Sequence, residues 1–365
     1  MKNKLGNFVK IKTGKLDANA SSSDGEYPFF TCSKEPLKIS SYSYDCKCVL
    51  VAGNGDLNVK YYEGKFDAYQ RTYIIESKDE SVLDTRYLYW FLSKYVEKLR
   101  ELSIGGVIKY IKLNNLTDPI IPLPPLEDQK HIVKILDQAD VLRQKRKQAI
   151  VLVDNYLKSV FLEMFGDPVK NSKNIKKVKI KEMGKVFTGN TPPRNKSENY
   201  GSFIEWIKSD NINNDDHYLT KATEFLSEIG FKKARIVPAG SVLVTCIAGS
   251  LSCIGNVGMA DREVAFNQQI NALIPNSDVE QNFLYAQILF NKELFRKAST
   301  NSMKGMLNKS KFSEIELLKP DITLQKKHSS LFSKTESIKQ KMLTQSEELE
   351  IQFQALMQKA FKGGL

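Results

Sequence analysis

Apolar residues recur every three or four positions over two long stretches of the chain. From 126 to about 165 they are Ile132, Ile135, Ala139, Leu142, Ala149, Val153, Tyr156 and Val160. Over 322–361 they are Leu331, Ile338, Met342, Leu349, Leu356 and Ala360. The spacing predicts two helices of about 40 residues, each near 60 Å long. Seams of this kind favour packing of the two helices against each other as a coiled coil.

The segments in front of these helices mix short strands, turns and shorter helices. Strand-like runs occupy 48–53, 71–77, 241–249 and 271–275, and helical spacing covers 82–102 and 279–298. The proline-rich residues 119–125 predict an extended connector, because proline is excluded from helix interiors. Gly166-Asp167-Pro168 is expected to end the first long helix.

The chain repeats itself. Residues 116–165 align without a gap with residues 312–361, a shift of 196. Further forward, Thr13-Gly14 matches Thr188-Gly189, and Gln70 matches Gln268. The fold class is therefore predicted as α+β, with two tandem mixed α/β domains, each followed by a long helix. The expected domains are 1–125, 126–168, 169–320 and 321–365. Such a duplication matches a duplex read at two half-sites.

Composition narrows the function. The 365 residues carry a formal net charge of +12, which favours a polyanionic partner and nucleic acid first. The five cysteines and three histidines lack zinc-site spacing. No apolar run reaches the roughly 18 residues of a membrane span, and the N-terminal segment lacks the features of a secretory signal. A cytoplasmic protein without a membrane partner is expected.

The sequence contains few residue patterns that could support catalysis. The chain contains no G-x-x-x-x-G-K-[ST] phosphate loop and no G-x-G-x-x-G after a strand. Asp67, Glu76 and Lys78 have roughly the spacing of a metal-dependent nuclease core. The second half carries Ala265 and Ile274-Pro275-Asn276 at the matching positions, so these acids do not belong to the repeated pattern. The nuclease is kept as the alternative function; no metal or catalytic residue is otherwise expected.

Polar and basic loops occupy matching places in the two halves. Gln and Asn can pair bidentately with adenine, Arg can pair with guanine, and Lys and glycine-rich loops suit phosphates. Each loop could equally be an ordinary turn. The candidate DNA-contact residues are Thr13, Gly14, Lys15, Tyr69, Gln70, Arg71, Lys109, Thr188, Gly189, Asn190, Arg194, Asn267, Gln268, Gln269, Asn301 and Lys304.

The order of motifs resembles the DNA-specificity (S) subunit of type I restriction–modification systems. The residues that carry the resemblance are Ile121-Pro122-Leu123-Pro124-Pro125-Leu126-Glu127-Asp128-Gln129, Phe165-Gly166-Asp167-Pro168, Val186-Phe187-Thr188-Gly189-Asn190-Thr191-Pro192 and Ala265-Phe266-Asn267-Gln268-Gln269. The resemblance covers nearly the whole chain. The second long helix departs from the pattern, since Asp321-Ile322-Thr323-Leu324-Gln325 replaces the Pro-Leu-x-x-Gln opening.

The resemblance implies two target-recognition domains on an antiparallel pair of helices, each reading one half of a bipartite double-stranded DNA target. It also implies two methyltransferase (M) subunits, which use S-adenosylmethionine on adenine, and restriction (R) subunits, which use ATP and Mg²⁺. The chain itself would bind no cofactor and would be the non-catalytic part of a restriction endonuclease and adenine-N6 DNA methyltransferase complex. The bases read, the spacer length and the presence of restriction subunits stay open.

Overall fold

The chain divides into two compact units. The computed structural model describes residues 3–212, 216–299, 305–362 and 364. Unit 1 comprises Met1–Gln148 and Thr344–Leu365, and unit 2 comprises Ala149–Leu343. Both divisions fall inside the long helices, so each unit holds the start of one long helix and the end of the other. The four predicted domain boundaries stay predictions.

Unit 1 is built on one six-stranded sheet. Its strands are β1 (Val9–Thr13), β2 (Tyr27–Phe30), β3 (Leu37–Ile39), β4 (Tyr44–Ala52), β5 (Val59–Ala68) and β6 (Thr72–Ser77). The order is β1-β6-β4-β5-β2-β3, and neighbours are antiparallel except β2 and β5. Its helices are α1 (Thr85–Leu102), α2 (Asn114–Thr117) and the first part of α3 (Leu126–Phe165). Asp84 caps α1 by accepting a hydrogen bond from the Tyr87 amide.

Unit 2 divides its strands among smaller sheets. The strands are β7 (Lys177–Lys179), β8 (Gly184–Thr188), β9 (Tyr200–Ile207), β10 (Phe225–Leu226), β11 (Ile236–Val237), β12 (Val242–Thr245), β13 (Ile247–Ala248), β14 (Val257–Met259), β15 (Val264–Phe266), β16 (Ile270–Pro275), β17 (Gly305–Met306) and β18 (Glu316–Leu318). The four-stranded sheets are β14-β12-β16-β8 and β10-β9-β15-β11, and β13 pairs with β17 and β18 with β7. The helices are α4 (Ile180–Met183), α5 (Glu228–Phe231), α6 (Gln281–Leu289), α7 (Lys292–Ala298), α8 (Lys309–Glu314) and α9 (Ile322–Ala360), the last of which continues into unit 1.

The predicted fold class is confirmed, and the strand pairings repeat. In unit 1, Thr13 lies opposite Tyr73. In unit 2, Thr188 lies opposite Asn271 in the same arrangement. The two long helices begin and end within a residue of their predicted limits. Two shorter predictions were wrong in detail: the strand expected over 241–249 breaks into β12 and β13, and the helix expected over 279–298 breaks into α6 and α7.

A buried glutamine fastens the start of each long helix. In unit 1 the Gln129 side chain accepts a hydrogen bond from the Asp84 amide at 3.0 Å and donates to the Val82 and Pro124 carbonyls at 2.8 and 2.9 Å. In unit 2 Gln325 makes the matching three contacts. Both side chains are fully buried. The glutamine thus links the connector, the long helix and the start of an earlier helix of the same unit, which is α1 in unit 1 and α6 in unit 2.

Aromatic rings fasten the end of each long helix to a unit. In unit 1 the Phe361 ring, just beyond α9, lies 5.2 Å from the Tyr87 ring of α1. In unit 2 the Phe165 ring at the end of α3 lies 4.8 Å from the Phe283 ring of α6. These residues belong to the main apolar cores of their units. The end of one repeat therefore completes the core that the other repeat begins.

The predicted seam of the long helices was wrong at three positions. Leu142, Tyr156 and Ile338 are about half exposed, at 51%, 52% and 54%. The long helices also meet through ion pairs that repeat at the shift of 196. In unit 1 Arg143 binds Glu350 at 2.7 Å, and in unit 2 Lys339 binds Asp154 at 2.8 Å. A continuous coiled coil stays a prediction.

One buried position differs between the repeats in its ability to titrate. His328 of α9 stands where Ile132 stands in α3, and its ring packs among those of Phe161, Phe165 and Phe332. Neither ring nitrogen has a hydrogen-bond partner among the residues described. Burial lowers the pKa of His328 from 6.5 to about 4.

We predict that Gln129→Ala and Gln325→Ala each lower the free energy of unfolding by about 2–4 kcal/mol, because each removes a fully buried side chain and its three hydrogen bonds. The measurement is urea unfolding followed by circular dichroism. Gln138→Ala, at an exposed position of α3, is the matched control and should change stability by less than about 0.5 kcal/mol. Equal effects at Gln129 and Gln138 would contradict the anchoring role.

We predict that His328→Ile makes the chain less sensitive to acid. Below pH 6.5 the unfolded chain takes up a proton at His328, whereas the folded chain does so only near pH 4, so stability falls as the pH falls through this window. At 1.36 kcal/mol per unit the loss totals roughly 3 kcal/mol by pH 4, of which about 2 kcal/mol is expected by pH 5. Unfolding midpoints at pH 7.5 and 5 check this, with exposed His131→Ile as the control. A variant whose stability falls as steeply as the wild type would contradict it; burial also lowers the pKa of His217, so a smaller decline remains.

Candidate nucleic-acid interface

The candidate residues of unit 1 come together where β1 ends and the chain turns from β5 into β6. We call Thr13, Gly14, Lys15, Tyr69, Gln70 and Arg71 the Gly14 junction. The Gly14 amide donates to the Thr72 carbonyl at 3.0 Å, and the Gln70 amide donates to the Leu16 carbonyl at 2.9 Å. Lys15, Gln70 and Arg71 are exposed, so this backbone frame presents three polar side chains to solvent.

Unit 2 contains the same backbone frame. We call Thr188, Gly189, Asn190, Asn267, Gln268 and Gln269 the Gly189 junction. The Gly189 amide donates to the Ile270 carbonyl and the Asn190 amide to the Phe266 carbonyl, both at 3.1 Å. The segments that the sequence singled out therefore lie together in both units. Contact with DNA stays a prediction for every one of these residues.

The fold itself requires the two glycines. A Cβ atom on Gly14 would lie 2.1 Å from the Ala68 carbonyl oxygen, and one on Gly189 would lie 2.1 Å from the Asn267 carbonyl oxygen. Two chain segments cross at this point in each unit, closer than any side chain permits. The glycines therefore serve the crossing, whatever else approaches the junction.

Several amides in the Gly189 junction are occupied by the protein itself. Asn267 is only 5% exposed, and its two amide ends bind the Gln269 side chain and the Gln269 amide at 2.9 and 3.0 Å. Thr188 donates to Asn271 at 2.6 Å. Contact of Asn267 with a base would require these bonds to break, whereas Gln268 is exposed.

Asn190 joins a second segment to the Gly189 junction. Its side-chain amide donates to the Lys233 carbonyl at 2.7 Å and its oxygen accepts from the Arg235 amide at 2.7 Å. The side chains of Lys232, Lys233 and Arg235 are exposed beside the junction. Sequence reasoning missed these three residues. The basic run 232–235 is visible in the sequence. It lies more than 40 positions from Asn190, so the sequence did not indicate that the two segments are neighbours.

Arg194 lies over two aromatic rings. Its guanidinium carbon lies 4.8 Å from the Trp206 ring and 5.0 Å from the Tyr200 ring, and Glu224 binds it at 2.9 Å. Hydrogen bonds from Lys208 and Arg194 lower the pKa of Glu224. The Arg194 side chain nevertheless stays 55% exposed. Stacking and pairing reduce its freedom before any ligand arrives.

Lys109 lies close to the Gly14 junction. Its carbonyl accepts from the Gly55 amide at 2.9 Å, while the Gly53 amide donates to the Arg71 carbonyl at 2.8 Å. The Lys109 side chain is exposed. The matching candidates Asn301 and Lys304 lie outside the described residues.

The nuclease triad does not converge. Asp67 is buried and accepts hydrogen bonds from Ser43 at 2.6 Å and from the Ala68 amide. Glu76 pairs with Lys12 at 2.9 Å. Lys78 donates to the Gly6 and Asn7 carbonyls. Among the residues that the structure describes, no group of His, Cys, Asp or Glu could hold a metal ion. The alternative function is therefore not favoured.

The two α+β units with matching junctions define a class of tandemly duplicated proteins. Comparison with known families identifies which one. The family model for the type I restriction modification DNA specificity domain matches residues 1–151 and 172–350. The chain belongs to this family. None of the described helices is long and apolar enough to span a membrane.

Individual relatives agree with this family. The type I restriction enzyme EcoDI specificity subunit of Escherichia coli is 45% identical over 133 residues, which are 36% of this chain and 29% of that protein. The HindI specificity subunit of Haemophilus influenzae is 33% identical over 181 residues, 47% of this chain and 38% of that one. The chain thus matches well under half the length of both relatives.

A solved structure shares the fold. The crystal structure of a type I restriction–modification S subunit from M. genitalium covers 99% of this chain, with 96% of its own length matched. The TM-score is 0.65 at 16% sequence identity, which shows a common fold. A structure described in connection with assembly and conformational transition of a type I system gives a TM-score of 0.60 at 15% identity.

We predict that Gly14→Ala and Gly189→Ala destabilise their units by about 1–3 kcal/mol or more, because the added methyl group would overlap a backbone carbonyl. Urea unfolding measures the loss. Gly106→Ala in unit 1 and Gly249→Ala in unit 2 are matched controls, since a Cβ there meets nothing within 4 Å. If Gly14→Ala were as stable as Gly106→Ala, the crossing would be looser than the structure describes.

Proposed function

We propose that the chain is the DNA-specificity subunit of a type I restriction–modification complex, in which each unit reads one half of a bipartite duplex sequence. The observation that carries the proposal is the duplicated junction. The same backbone frame presents Tyr69-Gln70-Arg71 in unit 1 and Asn267-Gln268-Gln269 in unit 2. A shared frame with different polar side chains suits two related modules with different sequence preferences.

Charge and family membership support the proposal. The net charge of +12 favours the phosphate backbone, and exposed Lys15, Lys109, Arg194 and Arg235 lie at or near the junctions. The chain is proposed to be non-catalytic and cytoplasmic and to bind no cofactor of its own. S-adenosylmethionine, ATP and Mg²⁺ belong in this proposal to the partner subunits.

The long helices are proposed to dock the M subunits, two per chain, with R subunits joining them. In unit 1 the helices expose Val141, Leu142 and Ile351 at 51%, 51% and 71%. In unit 2 they expose Val151, Leu152 and Ile338 at 60%, 65% and 54%. A contiguous exposed apolar patch is typical of a protein interface, and these side chains are proposed to form one in each unit. One such set lies in each unit, which suits two docking sites.

The test is to map methylated adenines in a host that carries the M subunit with and without this chain. Methylation at one bipartite motif should depend on the chain, and the purified chain alone should neither methylate nor cleave DNA. The proposal fails if the methylation pattern is the same in both strains. Turnover by the purified chain that a point mutation in it abolishes would also refute it.

We predict that the long helices set the spacer between the half-sites. Four residues inserted after Gln148 and four after Leu343, where both helices pass from one unit to the other, lengthen each helix by about 6 Å and nearly preserve its phase. The spacer should change by one or two base pairs, because the rise of B-DNA is about 3.4 Å per pair. Both half-site sequences should stay the same.

Methylome sequencing of the insertion strain measures this. Four residues added after Lys362, beyond the end of α9, control for chain length and should leave the motif unchanged. An altered half-site sequence with an unaltered spacer would contradict the helices' role and place base reading on the helices themselves.

A further inference from the structure

The two equivalent glutamines of the junctions are held by different partners. Gln70 donates its side-chain amide to the Asp17 carboxylate at 2.8 Å. Its backbone amide binds the Leu16 carbonyl at 2.9 Å, so the backbone places Asp17 beside it. In unit 2 the Thr191 hydroxyl donates to the Gln268 side-chain oxygen. Sequence reasoning identified both glutamines but neither partner.

The carboxylate determines which way the Gln70 amide faces. An ionised carboxylate only accepts hydrogen bonds, so the nitrogen end must face Asp17 and the oxygen must face away. The Thr191 hydroxyl can donate or accept, so it can hold Gln268 in either orientation. Gln70 is therefore oriented before a ligand arrives, whereas Gln268 can present either end.

We propose that Gln70, oriented by Asp17, is an adenine-reading site, with Asp17 as its positioning residue. The inference rests on the proposed function. With one N–H bound to Asp17, Gln70 keeps its carbonyl oxygen and its second N–H. These are the acceptor and donor that pair with the N6 amino group and N7 of adenine in the major groove. The reversed amide would present them in the wrong order.

The charge of Asp17 supports a positioning role. A carboxylate close to a DNA surface repels phosphates and weakens binding to every sequence. Asp17 therefore contributes selectivity through Gln70 at the expense of general affinity. Removing its charge should have opposite effects on the two quantities, which a merely structural residue would not produce.

The experiment maps methylated motifs in a host that carries the M subunit and the full chain as wild type, Gln70→Ala, Asp17→Asn or Asp17→Ala. Gln70→Ala should reduce the preference for adenine at one position of one half-site by roughly 5- to 150-fold, the equivalent of 1–3 kcal/mol. Both Asp17 variants should reduce the preference at that same position by a smaller factor. All other positions should stay unchanged, and methylation at sites carrying a different base there should rise.

Two controls separate the contributions. Asp118→Asn removes an equal charge that lies beside Lys4, near the start of β1 and so away from the strand end at the junction, and should leave the motif unchanged. Thr191→Val removes the hydroxyl that holds Gln268 and should affect only the other half-site.

The outcomes are distinguishable. If no motif depends on the chain at all, the proposed function fails. If a motif depends on the chain but both Asp17 variants leave the Gln70 position unchanged, the positioning role is overturned. A change at a C·G pair in the Asp17 variants would also overturn it, because Asp17 would then accept directly from cytosine N4.

Discussion

The rest of the structure depends on the buried amide of Gln129 in unit 1 and of Gln325 in unit 2. Each satisfies one backbone amide and two backbone carbonyls at the place where the connector, the long helix and the start of α1 or α6 meet. Without it these partly buried groups would lose their hydrogen bonds, each at a cost of about 0.5–1.5 kcal/mol. Because the amide is bound at both ends, the helix leaves the unit in one direction only. The contacts of Gln129 and Gln325 therefore fix the starts of α3 and α9 against their units.

The sequence predicted most of this arrangement because a repeat reveals its own alignment. The helix spacing and the shift of 196 identified both long helices, and the matching Thr-Gly and Gln residues identified the junctions. The sequence did not predict the ion pairs Arg143–Glu350 and Lys339–Asp154, although they too are related by the shift. The spacing of hydrophobic residues carries no information about charged pairs. It also placed Leu142 and Ile338 in the apolar seam, although both side chains are about half exposed.

The candidate site was less accessible to prediction, because its geometry depends on contacts between distant positions. Lys233 and Arg235 lie at the Gly189 junction because their backbone binds the Asn190 side chain and because β11, which follows them, pairs with β15. The side-chain amide of Asn267 could in principle pair with a base. Its burial and its hydrogen bonds to Gln269 show that it instead completes a turn. Residue type identifies what a side chain could bind, whereas only the fold determines whether the protein already occupies it.

Under the proposed function, the duplicated module has two sequence preferences on one shared backbone frame. The crossing of backbone at Gly14 and Gly189 is fixed by main-chain hydrogen bonds and steric contact, to which the side chains at 70 and 268 contribute nothing. Substitution beside them is therefore not constrained by folding. Asp17 in one half and Thr191 in the other differ in the hydrogen bonds they can form. This difference affects which end of the exposed glutamine amide faces solvent in each unit. Under the proposal, the residue that forms a hydrogen bond with the base-reading glutamine changes what is read, while the backbone frame stays the same.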